Sequence, residues 1–472
     1  MARTVANRCA SMLSMKVVIA GAGIGGLAAS LALSRAGHDV TIVERDDTPM
    51  PADVEGAFAW DRRGAPQVRH THGFPALIRQ VLRDRFPDVL DALRAAGVRE
   101  VSILPASVTP EMPGYAREAE DLQVLSCRRT TLEWVLRRCA LAEQNVAFVV
   151  GVGVVGVQPG ARGVRLDNDD VVEAEAVVAS TGRRGDVPAW FAEHGVEILE
   201  EEHSTGTIYL SRFYRSDDAA TLGYIGGRRA GLGFVIAGAD NGTYSATLAV
   251  DAQDKELRAH LLDEERFEAS LRLFREMRPV VARQGVPITP VQTMGGLINR
   301  IRRFVDDEGA PLTPGFFAIG DAHTCTNPLY GRGSSLAVLQ ATLVADALAA
   351  HPADRPGASL AYETASQTRV EPWYEMSLLT DKPSAANLAN FDLQSMRRAA
   401  GSNDPEIAVL MTRMMSLLAT PQEVFGAPEV VAKLAAAAEP KPRPHDPNRK
   451  TLTRADILFP GGHPAGPPSS AT

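Results

Sequence analysis

The sequence contains few cysteines, no long apolar run and no excess of positive charge. Its four cysteines are Cys9, Cys127, Cys139 and Cys325, and they include no CxxC pair and none of the close spacing that a zinc site or a disulfide framework needs. A reducing, cytoplasmic compartment fits this pattern best. Because no apolar stretch reaches the roughly 18 residues of a membrane span and no hydrophobic signal core is present, we expect neither stable membrane insertion nor export.

The formal net charge is −8, so the chain has no global positive field that would attract a polyanion. We therefore expect no nucleic acid among its partners. Hydrophobic residues make up 45% of the chain and charged residues 22%, which is typical of a folded globular protein. At 472 residues the chain is long enough for two or three modules, and we expect a multidomain enzyme.

The first part of the chain has the pattern of a nucleotide-binding βαβ unit. A β-branched run at Lys16–Ala20 precedes a glycine-rich turn, an Ala/Leu-rich helical stretch at Leu27–Ala36 and a second strand at His38–Glu44. Residues 1–14 lie before this unit and are interpreted as a dispensable leader, with Met15 as an alternative start of translation.

Further along, the pattern changes twice. Helices are predicted at Leu77–Ala96 and Arg129–Glu143, and then glycine turns separate three antiparallel strand patterns between Ser204 and Val250. A buried strand pattern returns at Gly315–Asp321, with a long helix at Ser334–Ala350 behind it. The sequence therefore predicts a sheet domain inserted into a nucleotide-binding domain.

The predicted fold class is α/β: a Rossmann-type domain with an inserted antiparallel β-sheet domain for the substrate and a C-terminal helical extension. The predicted boundaries are 15–200 for the first part of the Rossmann-type domain, 201–295 for the inserted sheet, 296–350 for the return of the first domain, 351–460 for the helical region and 461–472 for a disordered Pro/Gly/Ser tail.

The segment Gly21-Ala22-Gly23-Ile24-Gly25-Gly26 matches GxGxxG between a strand and a helix. Gly21 permits the tight turn, Gly23 lets the backbone approach a pyrophosphate, and Gly26 lets the helix pack on the sheet. Glu44, followed by Arg45, closes the second strand and can accept hydrogen bonds from an adenosine ribose. These residues predict a dinucleotide site but do not choose between FAD and NAD.

A second motif bears on the choice between FAD and NAD. Gly320-Asp321-Ala322-His323, followed by Asn327-Pro328-Leu329-Tyr330-Gly331-Arg332-Gly333, resembles the second flavin fingerprint of the FAD-dependent aromatic hydroxylase and epoxidase superfamily, of the p-hydroxybenzoate hydroxylase type. The resemblance implies that the aspartate contacts the flavin ribityl chain and that the loop runs close to the flavin ring; without it, the aspartate would be an ordinary helix cap. The cofactor-binding residues implied here are Gly320, Asp321, Pro328, Gly331 and Gly333.

Two further segments extend the resemblance. Arg129, which opens a helical pattern, is similar to the family arginine that meets the cofactor, although a bare arginine there could be surface charge. The stretch Gly64-Ala65-Pro66-Gln67-Val68-Arg69-His70-Thr71-His72 resembles the polyketide and polyether epoxidase branch, which implies that His70 and His72 lie near flavin and substrate. A structural role for both histidines stays open, and two ligands alone do not predict a metal site.

The inserted sheet supplies candidates for a wall of the substrate cavity. Tyr209 and Phe234 lie in its strand patterns, together with Phe213 and Tyr214. All of these aromatic residues could equally belong to the sheet's own core.

The resemblance spans roughly residues 15–350 and implies an FAD-dependent monooxygenase, a hydroxylase or an epoxidase of secondary metabolism. In that family, reduced flavin meets dioxygen, a flavin hydroperoxide forms and one oxygen atom passes to a small, largely apolar organic substrate. Many members carry an Asp-Gly motif, whereas this chain has Ser180 and Thr181 in the corresponding stretch. Electrons would therefore come from NAD(P)H directly or through a partner flavin reductase.

Three alternatives share parts of this pattern. A flavin reductase or dehydrogenase of the geranylgeranyl-reductase type would have the same fold, but its aromatic-rich lipid-cavity motif is not evident. A flavin halogenase would carry a Trp-x-Trp-x-Ile-Pro signature, which this sequence lacks. A non-catalytic flavin-binding protein would bind the cofactor without forming a product.

Overall fold

The computed structural model of this chain describes residues 14–217, 219, 224–274, 285–381, 399, 404–436 and 452–459. The predicted leader, apart from its last residue, and the predicted C-terminal tail at 461–472 lie outside the described residues.

The strands and helices alternate in the first part of the chain, and helices dominate the last part. The strands are β1 (Lys16–Ala20), β2 (Asp39–Glu44), β3 (Arg99–Ser102), β4 (Gln123–Ser126), β5 (Val146–Val150), β6 (Val154–Val157), β7 (Gly163–Leu166), β8 (Val171–Glu173), β9 (Ala176–Ala179), β10 (Leu199–Ser204), β11 (Thr207–Arg215), β12 (Tyr224–Arg229), β13 (Leu232–Gly238), β14 (Thr243–Asp251), β15 (Val286–Pro287), β16 (Gln292–Met294), β17 (Ile298–Arg303), β18 (Phe316–Ala318) and β19 (Thr324–Cys325). The helices are α1 (Ile24–Arg35), α2 (Val54–Phe58), α3 (Ala76–Arg85), α4 (Pro87–Ala95), α5 (Ala116–Asp121), α6 (Arg129–Ala142), α7 (Val187–Ala192), α8 (Lys255–Leu262), α9 (Glu264–Leu273), α10 (Arg332–Ala350), α11 (Arg355–Arg369), α12 (Glu371–Asp381), α13 (Pro405–Met415), α14 (Pro421–Phe425), α15 (Pro428–Ala436) and α16 (Arg454–Leu458).

A parallel five-stranded sheet with the order β18-β9-β1-β2-β5 forms the centre of the first domain. Successive side chains of a strand point to opposite faces, so Val17 and Ile19 pack in the cluster that holds α1 and α10, while Val18 and Ala20 pack with Trp190 of α7 on the other face. Burial on both faces explains why β1 is continuously apolar. The predicted Rossmann-type domain is confirmed.

The inserted sheet is antiparallel, with the order β12-β13-β14-β11-β15 and with β16 also paired to β11. Strands β11 and β14 pair over their full lengths, from Thr207 opposite Asp251 to Arg215 opposite Thr243. One face of this sheet packs on α8 and α9 through a separate apolar cluster. The chain enters the sheet through β10 and leaves through β17, and these two strands pair with each other.

Most of the C-terminal helices are part of the main core, whereas Ile457 of α16 packs in the cluster of the inserted sheet. Tyr362 of α11 and Trp373 of α12 are fully buried and belong to the same apolar cluster as α1 and α10. Contrary to the expectation that no apolar stretch reaches the length of a membrane span, helix α10 has that length and composition. However, 72% of its apolar window is buried inside the protein, as expected of a core helix. The predicted helical extension is therefore confirmed, and it is docked on the nucleotide-binding domain.

One predicted helix is wrong in its extent. The periodic stretch Leu77–Ala96 forms two helices, α3 and α4, which meet at Phe86 and Pro87. Phe86 has φ −140° and ψ 55°, outside the helical region, because the residue before a proline is disfavoured in the α conformation. Pro87 then opens α4, where its missing N–H is not needed.

Candidate cofactor site

The glycine loop between β1 and α1 has the geometry of a phosphate-binding turn. Gly21 has φ +105°, a conformation that L side chains rarely adopt, and a Cβ on Gly26 would lie 1.9 Å from the Gly21 carbonyl oxygen. A Cβ on Gly23 would meet no protein atom within 4 Å. The loop therefore exposes its backbone at Gly23, immediately before the N-terminus of α1, where backbone N–H groups and the helix dipole favour an anion.

Glu44 holds this loop in place. One carboxylate oxygen accepts from the Ala22 N–H at 2.8 Å, and the other accepts from the Asp46 N–H at 2.8 Å. The side chain is largely buried, and Arg45 rather than Glu44 lines the adjoining cavity. A carboxylate has about four acceptor positions, so a further bond to a ribose stays a prediction for Glu44.

A buried arginine that the sequence did not single out ties the loop to helix α6. Arg62 is 4% exposed, and its guanidinium contacts Asp46 at 2.8 Å and Glu133 at 2.6 Å. Burial opposes the charge on Asp46, but hydrogen bonds from Thr48 and the charge of Arg62 hold the pKa of Asp46 below its usual value. Glu133 also contacts Arg129 at 3.4 Å, so this charge network reaches a predicted cofactor residue.

A cavity of about 340 Å³ runs from the glycine loop to the segment after β18. Among the described residues it has a basic wall, to which Arg63, Arg183 and Arg184 contribute without having been predicted. Most of the predicted site residues lie around it, and the exceptions are Gly21, Gly26, Glu44, Tyr209 and Phe234. The predicted residues that line the cavity are Gly23, Arg45, His70, His72, Arg129, Gly320, Asp321, Pro328, Gly331 and Gly333.

Asp321 stands at the far end of this cavity. Burial raises the pKa of its carboxyl, while the positive charges of Arg129, Arg183 and Arg300 act in the opposite direction. The preceding Gly320 has φ +58°, and its N–H donates to the Gln340 side chain at 2.8 Å. The Asp321 carboxyl is thus presented by a fixed backbone as a hydrogen-bond acceptor.

The loop from Asn327 to Gly333 passes close to another backbone segment. Gly331 has φ +64°, and a Cβ there would lie 2.6 Å from the Gly73 carbonyl oxygen. Helix α10 starts directly afterwards at Arg332. Both the conformation and the close approach require glycine at position 331, as the sequence predicts for a chain that runs under a flat ring.

The two histidines of the His-x-His loop are held neutral and in fixed orientations. Burial lowers the pKa of His70 to about 4, and burial together with the charge of Arg129 lowers the pKa of His72 to about 3. His72 Nδ1 lies 2.9 Å from the His70 carbonyl, which can only accept, so this nitrogen carries the proton. His70 Nδ1 lies 2.9 Å from Ser211 Oγ on the inserted sheet.

The inserted sheet contributes a smaller cavity of about 30 Å³ next to the larger one. Tyr209 of β11 lines it together with His70 and Pro328, both of which also line the large cavity. The prediction for Phe234 is wrong, because this ring lies on the other face of the sheet, packed against Phe274 with centroids 4.8 Å apart. Phe234 and Tyr209 point to opposite faces of the sheet, since Phe234 is paired with Leu248 and Tyr209 with Ala249.

Some buried polar atoms at the cavity have no hydrogen-bond partner within the described part of the chain. They include Nε of Arg129 and Oγ1 of Thr326, both on residues that line the cavity. Buried polar atoms without a partner are rare in folded proteins, so a polar ligand in the cavity would complete them. Across the ranges that the structure describes, no group of three His, Cys, Asp or Glu side chains is arranged to hold a metal ion.

Comparison with known proteins agrees with this fold. Residues 19–91 match the family model of the NAD(P)-binding Rossmann-like domain. The search of curated protein sequences gives no match. The model superposes on PqsL, a probable FAD-dependent monooxygenase from Pseudomonas aeruginosa, with a TM-score of 0.56 at 16% identity, covering 78% of this chain and 97% of PqsL.

Two other solved structures extend the match. The flavin-dependent brominase Bmp2 gives a TM-score of 0.60 at 15% identity, with 89% of this chain and 97% of Bmp2 covered. The Diels-Alderase PyrE3 of pyrroindomycin biosynthesis gives 0.58 at 17% identity, with 86% and 82% covered. At these identities the likeness establishes the fold, which is shared by proteins of different chemistry.

Proposed function

We propose that this chain binds FAD non-covalently and is a monooxygenase that hydroxylates or epoxidises a small, largely apolar organic substrate. The observation that carries the proposal is the single cavity that joins the glycine loop to Asp321 in a fold shared with FAD-dependent monooxygenases. The FAD pyrophosphate would lie against the backbone at Gly23, and the ribityl chain would bond to Asp321. Glu44 and Arg45 would bind the adenosine part of FAD.

The residues present fit this cofactor. The basic wall with Arg63, Arg129 and Arg183 matches the negative charge of a pyrophosphate, and the unpaired Arg129 Nε gains a partner when a polar ligand is present. Bound FAD would supply the redox chemistry that activates dioxygen. The protein's own contribution is to position the ring over the Asn327–Gly333 loop and to keep a dry, neutral wall beside it.

The neutral wall is made by the His-x-His loop and the inserted sheet. Ser211 Oγ, which contacts His70, also lies 2.6 Å from Thr247 Oγ1, and this hydroxyl donates to Thr71 Oγ1 at 2.8 Å. Because both histidines are neutral at neutral pH, neither of them adds a formal charge to this side of the site. An uncharged wall favours an uncharged substrate, since burying a charge without a partner is costly.

The electron donor is proposed to be NAD(P)H, used directly or through a partner flavin reductase. Anaerobic titration of the FAD-loaded protein with NADH and with NADPH separates the two routes. Bleaching of the flavin absorbance within the mixing time indicates direct use, and no bleaching until a flavin reductase is added indicates a partner. The three described cysteines, all unpaired, are compatible with the proposed cytoplasmic location.

Oxygen transfer is tested by turnover with labelled dioxygen. Candidate aromatic and alkene substrates are incubated with the reduced holoenzyme under ¹⁸O₂, and the products are analysed by mass spectrometry. The proposal expects a product that is heavier by one ¹⁸O atom. Saturation of a double bond without oxygen uptake would replace it with a reductase of the geranylgeranyl-reductase type, and halide-dependent substitution would indicate a halogenase.

A further inference from the structure

Helix α12 of the C-terminal region reaches the loop that would lie next to the flavin. Its last residue, Asp381, accepts a hydrogen bond from Nδ2 of Asn299 at 2.7 Å and another from Nδ2 of Asn327 at 2.8 Å. Ser377, one turn earlier, accepts from the fully buried Arg332 at 2.9 Å. Helix α12 therefore contacts the Asn327–Gly333 loop near both ends of that loop.

The contact with Asp381 determines how the Asn327 amide is oriented. Burial raises the pKa of Asp381, while the hydrogen bonds from Asn299 and Asn327 act in the opposite direction. As a carboxylate, Asp381 only accepts hydrogen bonds, so Asn327 directs its NH₂ group to Asp381 and its Oδ1 away from it. Asn299 is fixed in the same sense, because its Oδ1 accepts from the Asn327 backbone N–H at 2.7 Å while its NH₂ group donates to Asp381. Neither side-chain amide can rotate by 180° without losing a hydrogen bond.

The orientation of Asn327 in turn determines whether the Tyr209 hydroxyl can donate or accept a hydrogen bond with a ligand. Asn327 Oδ1 accepts from the Tyr209 hydroxyl at 2.7 Å and from the Leu329 N–H at 3.1 Å. The hydroxyl has one proton, and this bond uses it. Within the described residues no donor is directed at the Tyr209 oxygen, so its remaining capacity is that of an acceptor.

The described lining of the small cavity beside Tyr209 carries no formal charge, and the Asp381 carboxylate that acts on the Tyr209 hydroxyl is not part of that lining. Burial raises the pKa of Tyr209, so the hydroxyl stays protonated at any physiological pH. The described residues that line the small cavity with it include no Asp, Glu, Lys or Arg, and His70 among them is neutral. A ligand group in this cavity would therefore meet the Tyr209 oxygen as a hydrogen-bond acceptor. The Tyr209 hydroxyl could not become a donor to the ligand, because its proton is used in the bond to Asn327.

We propose that Asp381 is a positioning residue that, through Asn327, makes Tyr209 a fixed hydrogen-bond acceptor, so that the small cavity, which has room for one polar group, receives the hydroxyl or N–H donor of an uncharged substrate held in the larger cavity. This inference rests on the proposed function, since it assigns the substrate end of the same site. A substrate that lacks the donor would leave the free acceptor position of the Tyr209 oxygen unused, so its binding would lack the contribution of one hydrogen bond.

The test compares 2-naphthol with 2-methylnaphthalene, a pair of similar shape in which only the first compound carries a donor. The dissociation constant of each is measured by equilibrium dialysis against the FAD-loaded protein, and the ratio of the two constants is the readout. The variants are Tyr209→Phe, Asp381→Asn and the double variant. Ser377→Ala is the matched control, because it removes a contact of the same helix without touching the amide orientation.

We expect Tyr209→Phe to shift the ratio against 2-naphthol by about tenfold relative to the wild type. Asp381→Asn replaces one of the two accepting oxygens with an NH₂ group, which then faces the NH₂ group of Asn299 or of Asn327 and weakens the fixed amide orientation. We therefore expect a shift in the same direction, and the double variant adds nothing to Tyr209→Phe. Ser377→Ala keeps the wild-type ratio. A circular-dichroism melt and the bound FAD content confirm that each variant is folded.

An unchanged ratio in Tyr209→Phe or in Asp381→Asn overturns the inference, as does a wild type that binds neither compound. An equal shift in Ser377→Ala also overturns it, because the effect would then come from helix docking alone. These outcomes are separate from failure of the proposed function, which would be recognised by a wild-type protein that takes up no FAD.

Discussion

Gly23 is the residue at which cofactor binding and folding can be separated most cleanly. It has φ −77° and ψ −177°, an extended conformation open to any L residue, and a Cβ there points into free space. We predict that Gly23→Val folds with an unchanged melting temperature of the apoprotein but loses at least tenfold in FAD affinity, because the side chain fills the place of the pyrophosphate. Fluorescence titration with FAD measures the affinity.

Gly26→Ala provides the contrast within the same loop. Its Cβ would lie 1.9 Å from the Gly21 carbonyl oxygen, so the helix and the loop must separate. We expect this variant to lose folding stability as well as FAD binding. If Gly23→Val behaved like Gly26→Ala, the loop would be a structural turn and its assignment to the cofactor would fail.

The His-x-His loop predicts a dependence of folding stability on pH. The pKa of His70 falls to about 4 in the folded protein, against about 6.5 in an unfolded chain. As the pH falls below 6.5 the unfolded chain therefore binds the proton first, and the folded state loses stability down to about pH 4. From pH 7 to pH 5 the loss from this residue is on the order of 2 kcal/mol.

His70→Gln removes this contribution. Urea unfolding of wild type and variant at pH 7 and pH 5 should show a smaller pH dependence in the variant, with the wild type losing about 1–2 kcal/mol more. His194, which is exposed and does not line either cavity, supplies the control variant His194→Gln. Equal pH dependence in wild type and His70→Gln would contradict the buried neutral state of His70.

At the scale of elements, one buried ion pair joins helix α6 to the inserted sheet. Asp240, in the turn between β13 and β14, is fully buried and accepts from the Arg128 backbone N–H at 2.6 Å, from its guanidinium at 2.6 Å and from Thr131 Oγ1 at 2.7 Å. These contacts lie at the first turn of α6, where Arg129 lines the cavity. The inserted sheet thereby fixes the start of the helix that carries a proposed cofactor residue.

We predict that Asp240→Ala lowers the free energy of unfolding by about 3–5 kcal/mol, because it leaves the Arg128 guanidinium buried without its partner. The measurement is urea denaturation, with the exposed Glu173→Ala of β8 as control, for which we expect a change within about 0.5 kcal/mol. A loss below about 1 kcal/mol for Asp240→Ala would show that α6 does not depend on this contact.

At the scale of the whole molecule, sequence patterns predicted those parts of the site that are formed by residues close together in the chain. Strand β1 has the predicted bounds Lys16–Ala20, and Gly21, predicted to permit a tight turn, has a positive φ of +105°. Hydrophobic periodicity alone predicted one helix, whereas the structure has two helices, α3 and α4, separated at Pro87. The prediction for Phe234 was wrong because the face on which a strand residue lies depends on pairing register, which a short apolar strand does not reveal.

Other parts of the site depend on contacts between residues far apart in the chain. Arg62 and Glu133 are 71 positions apart, and Asn327 and Asp381 are 54 apart. Nothing in the local pattern around Arg62 or Asp381 distinguishes it from a surface charge. Such residues become visible only when the fold brings their partners together, which is also why the C-terminal helices could be predicted as helices but not as part of the site.

The central claim is that one cavity holds a single FAD between the loop at Gly23 and the carboxyl of Asp321. The most direct measurement is an absorbance titration of the purified apoprotein with FAD, followed by gel filtration. We predict a yellow protein that retains one FAD per chain, and a Gly23→Val variant that elutes at the same volume without colour. A folded wild-type protein that remains colourless after reconstitution would contradict it.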